Sequence, residues 1–249
     1  MQIYRGDRGR RSVRALAVMA TQGFVVKRTL EKVPRTRLVG WAILVTLLAT
    51  LSYASRFAGG GDPPDDALYQ WSTAIGGLVQ YAIILVLVLA LARDLSPSLL
   101  GLRRPDSWAR TAGKLLAALV AIWIVGFLLD FVLEAGEEQG LVPDGWDPDR
   151  AAGFVANFVV VALVAPVVEE LLYRGLGFAA VRDAFGALAA VGVTSIAFGL
   201  AHGLIVALPV LTIFGAILAW LRLSTGSIYP PIVLHAIFNG AALIAAVSV

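Results

Sequence analysis

The sequence predicts an all-α, polytopic membrane protein of about seven transmembrane helices, and three observations lead to that fold class. Of its 249 residues, 59% are hydrophobic, against about 45–50% in soluble domains. The mean hydropathy is +0.82. Apolar runs of about 20 residues, the length that crosses the hydrocarbon core, recur along the chain. Cysteine is absent, which excludes a disulfide framework, a thiol nucleophile and thiolate metal ligation. The sequence pI near 9.4 does not point to nucleic acid, because the basic residues gather on one side of the membrane.

The apolar runs place spans near 38–56, 72–92, 112–133, 153–174, 187–203, 205–222 and 228–248. Ten basic residues precede Leu38 (Arg5, Arg8, Arg10, Arg11, Arg14, Lys27, Arg28, Lys32, Arg35 and Arg37), against only Asp7 and Glu31. The second loop adds Arg93, Arg103, Arg104, Arg110 and Lys114, whereas the first and third loops are acidic (Asp62, Asp65, Asp66; Glu134, Glu137, Glu138, Asp144, Asp147, Asp149). By the positive-inside rule the N-terminus and the second loop face the cytoplasm of an inner, plasma membrane. Arg174, Arg182 and Arg222 fall on that same side.

Residues 1–37 read as a basic cytoplasmic segment and 38–249 as a single transmembrane domain. The apolar patch Ala15–Val26 is too short to span and fits the membrane surface. A cleaved signal peptide is not expected, because the first long apolar run begins only at Leu38. Gly59-Gly-Gly-Asp-Pro-Pro and Leu141-Val-Pro-Asp-Gly-Trp-Asp-Pro are loop breakers. No internal repeat argues for an inverted-repeat transporter.

Three polar islands interrupt the C-terminal apolar sequence: Glu169-Glu170-Leu-Leu-Tyr-Arg174, Phe198-Gly-Leu-Ala-His202 and His235-Ala-Ile-Phe-Asn239. The two histidines of the chain are both in them. A charge at the bilayer centre costs roughly 2.5–3.5 kcal/mol on insertion scales, so intramembrane carboxylates and arginines call for a role. On a helix Glu169 and Glu170 point about 100° apart and are not expected to enter one cavity together. Glu170 and Arg174, four apart in the acid-first order, can pair along one face. That leaves Glu169 as the chemical group. The plainer alternative is that both carboxylates mark the cytoplasmic end of the fourth span, and that each histidine is a hydrogen-bonder between helices. Together the islands contain parts for amide hydrolysis: a carboxylate to take a proton from water, and His and Asn donors for an oxyanion.

In their order, Glu-Glu-x-x-x-Arg, Phe-x-x-x-His and His-x-x-x-Asn resemble the motifs of the CPBP family. These are the CAAX proteases and bacteriocin-processing (Abi) proteins, including type II prenyl-protein endopeptidases. Ser224–His235 is similar to the family's approach to its last motif, and the resemblance covers 153–249. It implies an intramembrane active-site cavity in which Glu169 activates water aided by His202, while His235 and Asn239 form the oxyanion site. Glu170 and Arg174 would hold the helix, with Phe198 packed behind His202. The implied substrate is a peptide or membrane protein met in the bilayer, with no cofactor. Zinc, if bound, would be held by Glu169, His202 and His235, although few second-shell acceptors flank the histidines. One tension remains in these boundaries, because Glu169 falls near the inner end of its span and His202 near the outer end of the next.

No Gly-x-Ser-x-Gly and no His-Glu-x-x-His occurs. The rival from another class is a non-catalytic membrane scaffold or immunity factor binding a peptide or partner in the same cavity.

Overall fold

The computed structural model describes residues 32–59, 66–133, 138 and 145–248. The interfacial segment expected at 15–26, most of the N-terminal basic residues and much of both acidic loops lie outside the described residues. Within them every regular element is helical: α1 (Arg35–Gly59), α2 (Trp71–Ala92), α3 (Trp108–Leu133), α4 (Pro148–Phe185), α5 (Ala187–Ala201), α6 (Leu208–Thr225) and α7 (Tyr229–Ala246). All but α5 are long and apolar enough to cross a membrane. Large apolar side chains, including Ile43, Val86, Phe127 and Leu188, face outward, as contact with lipid requires. The packed interior brings together Trp41, Val88, Leu172, Phe178, Phe198, Leu218 and Leu234.

The largest departure from the expected spans is α4. The sequence pattern suggests a helix ending near Arg174, but α4 runs 38 residues in all and ends only at Phe185. At about 1.5 Å per residue this exceeds the roughly 30 Å of the hydrocarbon core. The tension between Glu169 and His202 disappears as a result. Gly186, with φ +88° in a conformation side chains resist, both ends α4 and starts α5. Glu169 lies 17 residues before this turn and His202 lies 16 after it, so the antiparallel α4–α5 pair carries both to the same level, about 24 Å from the turn. The carboxylates therefore do not mark a helix end.

Two π-helical stretches, Val159–Val164 and Leu171–Gly177, interrupt α4. Pro166 follows the first stretch; its ring carries no N–H and crowds the carbonyl a turn earlier, which a widened turn relieves. Wide turns leave carbonyls in need of donors, and hydrocarbon offers no water to supply them. Side chains from three other helices do so. Asn239 Nδ2 donates to Val161 O at 2.9 Å, Trp41 Nε1 to Leu172 O at 3.0 Å, and Arg222 Nε to Arg174 O at 3.0 Å. These bonds tie α7, α1 and α6 to the section of α4 that carries the glutamates. Gly177 lets the Trp41 ring come close, since a Cβ there would collide with the indole.

Candidate active site

Glu169 and Glu170 sit between the two π stretches, and both reach His235 of α7. His235 Nδ1 lies 3.1 Å from Glu170 Oε1, and its Nε2 lies 3.7 Å from Glu169 Oε2. The expectation that adjacent carboxylates diverge into separate surroundings is therefore wrong for this helix. An imidazole carries a nitrogen on each side, so one ring placed across the helix face meets both neighbours. Since an ionised carboxylate only accepts, the Glu170 contact places a proton on Nδ1 and turns Nε2 toward Glu169.

Glu170 and Arg174 are fully buried, with Nη1 donating to Glu170 Oε1 at 2.9 Å. Arg174 Nη2 donates to Gly215 O of α6 at 2.7 Å, and its guanidinium lies 4.7 Å from the Phe198 ring centroid. Charge-assisted bonds of this kind are stronger than neutral ones and fix direction. Gly215, Arg174, Glu170 and His235 thus form one connected chain across three helices.

His202 is placed differently from Glu169 and His235. It caps α5, exposed, with Nδ1 at 2.8 Å from its own helix's Phe198 O. A carbonyl can only accept, so Nδ1 is the donor and Nε2 is left for other partners. Phe198 touches both imidazoles, with ring centroids 4.7 Å from His202 and 5.6 Å from His235. The loop after His202 is held from outside. Ser52 Oγ donates to Ala201 O and Tyr53 OH to Leu204 O. The Glu138 oxygens accept from Ile205 N and Ala207 N, each at 2.8 Å, and Arg56 lies 2.9 Å from Glu138. Burial alone would raise the Glu138 pKa; the two N–H donors and Arg56 outweigh it and hold the carboxyl below its ordinary value.

Tyr81 is absent from the residue set read off the sequence, yet its hydroxyl donates to Glu169 Oε1 at 2.7 Å. The signal was a lone phenol in the middle of the apolar α2, where a polar group needs a partner. With Oε1 fixed by Tyr81, Glu169 Oε2 remains buried without a hydrogen-bond partner on the side of His235. Tyr81→Phe is expected to lower kcat roughly tenfold with KM little changed, the loss of one bond to a charged group. An equal loss in both, or an unfolded variant, would instead indicate a packing role.

Asn239 spends one amide hydrogen on Val161 O, which leaves a second. Among the described residues no three His, Cys, Asp or Glu side chains are grouped to ligate one ion. Glu169, His202 and His235 are therefore not arranged here as a ligand triad. An apolar groove of about 710 Å³ lies between α1 and α5, lined by residues including Tyr53, Phe57, Ile196 and Leu200, and by none of the glutamates or histidines.

The family model for type II CAAX prenyl endopeptidase Rce1-like proteins matches residues 151–241. That stretch runs from the start of α4 through His235 and Asn239. The Bacillus subtilis (strain 168) protein YdiL, provisionally named a membrane peptidase, is 27% identical over 203 residues, covering 79% of each chain. No solved structure matches this chain.

Proposed function

We propose that this chain, which is similar to CAAX-type membrane endopeptidases over residues 151–241, is an intramembrane endopeptidase whose attacking water is held and deprotonated by Glu169. The supporting observation is the Glu169 carboxylate itself. One oxygen is fixed by Tyr81, and the other is buried 3.7 Å from His235 Nε2. That separation is longer than a hydrogen bond, so Oε2 keeps its lone pairs unspent and is the oxygen free to accept a proton from water.

In this reaction Glu169 takes a proton as the water oxygen bonds to the scissile carbonyl carbon. The second Asn239 amide hydrogen, and His235 when protonated at Nε2, donate to the oxyanion. The C–N bond then breaks, and the Glu169 proton passes to the leaving amine. Glu170 and Arg174 orient His235, and His202 presents its Nε2 at the same level to assist the water. The substrate is a peptide or membrane protein reached from the bilayer, and these groups carry the hydrolysis without a cofactor.

The test is to incubate purified protein in neutral detergent with a peptide library and to read new termini by mass spectrometry. Cleavage should survive exhaustive chelation, and Asn239→Ala should lower kcat more than it raises KM. Binding without cleavage would favour the scaffold reading. Stoichiometric zinc recovered with the protein, with activity lost on its removal and regained on its return, would replace the metal-free mechanism.

We also propose that the N-terminus and the α2–α3 loop face the cytoplasm of the plasma membrane, from the positive-inside asymmetry. Reporter fusions at Asp65 and Asp147 should both be external. A cytoplasmic signal from either would refute this orientation.

A further inference from the structure

At the end of the bundle opposite His202, three arginines from three elements gather without an ion-pair partner among the described residues. Arg222, in the last turn of α6, is 5% exposed. Its Nε and Nη2 donate only to carbonyls, Arg174 O at 3.0 Å and Leu99 O at 3.1 Å. Arg182, in the last turn of α4, and Arg103, in the α2–α3 segment, lie within electrostatic range of it. Arg103 Nε donates to Gly226 O at 2.9 Å, just past the end of α6.

The backbone makes room for these heads. Gly101 (φ +77°) lies against the Arg222 guanidinium and Gly226 (φ +66°) against that of Arg103; a Cβ at either position would collide with it. Of the carboxylates on the same elements, Asp94 pairs with Arg37 and Arg93, Asp183 accepts from the Val33 N–H, and Asp106 forms no ion pair with any of the three among the described residues. Among the described residues no ion pair involves Arg103, Arg182 or Arg222. A buried guanidinium repelled by two others is an arrangement that an anion stabilises.

We propose that Arg103, Arg182 and Arg222 form a binding site for one phosphate-type anion, the headgroup of an acidic phospholipid or free phosphate. Guanidinium forks match phosphate oxygens in geometry, and carbonyl-anchored forks are already oriented. The site lies at helix ends on the basic face of the bundle, where acidic headgroups concentrate if that face is cytoplasmic. It also adjoins the glutamates through one hydrogen-bonded chain: Arg222 binds the Arg174 carbonyl, and the Arg174 side chain binds Glu170.

The site is tested without reference to catalysis. The full chain, purified in neutral detergent, is melted with phosphatidylglycerol, with phosphatidylcholine, or with inorganic phosphate at matched ionic strength. The Arg103→Gln/Arg182→Gln double variant, altered only at two exposed positions, is melted alongside it. Phosphatidylglycerol should raise the Tm by about 5 °C, phosphatidylcholine should not, and the double variant should lose the shift. An equal, variant-sensitive shift from phosphate alone identifies the free ion as the ligand. No shift from either anion, or a shift the double variant retains, overturns the proposal.

Discussion

Glu169→Gln should reduce turnover on any cleaved peptide by about 10²–10⁴-fold, the range a positioned general base contributes. The fold should survive, because the amide oxygen of glutamine still accepts from the Tyr81 hydroxyl at the place of Oε1. What is lost is a basic oxygen facing His235 Nε2. Peptide affinity should change little, since the carboxylate acts on water and not on the substrate chain. Turnover within a few-fold of wild type would remove Glu169 from the chemistry and leave it a structural partner of Tyr81.

Arg174→Ala should lower stability by about 3–5 kcal/mol, the cost of leaving a buried partner charge uncompensated. Glu170 would lose its nearest cation and Gly215 O its donor, both inside the bundle. Phe198 would also lose the guanidinium stacked on its ring. Arg174→Lys should fall between the two, because an ammonium lacks the fork that reaches two acceptors at once. Glu170→Gln should be milder, since its amide oxygen still accepts from Arg174. Thermal unfolding in detergent, followed by helical circular dichroism, measures all three. An unchanged midpoint for Arg174→Ala would show that the pair contributes nothing.

Much of this arrangement was legible from spacing. Glu170 and Arg174 stand four apart, and a helix alone brings such side chains together. The apolar runs likewise announced helices, because hydrocarbon admits few other structures. The length of α4 was not legible: Arg174 looked like a helix-end charge, and only its burial against Glu170 and Gly215 shows that the helix continues past it. The convergence of Glu169 and Glu170 was misjudged for a related reason. The angle between neighbouring side chains is a local quantity, but His235 arrives from α7 and spans both.

Tyr81, Trp41 and Arg222 show where local reasoning stops. Each is a solitary polar group in or beside an apolar helix, and sequence marks it as needing a partner without naming one. Their partners, Glu169, Leu172 O and Arg174 O, all lie on α4 between residues 169 and 174. The sequence by itself determined the membrane class, the helical spans other than the length of α4, and the three polar islands, because hydropathy and helical spacing are properties of neighbours along the chain. Tertiary structure alone decided which imidazole meets the glutamates, which helices serve the carbonyls of the π stretches, and that His202 stands level with Glu169. Those outcomes depend on packing between segments far apart in sequence, where polar groups cut off from water must find one another.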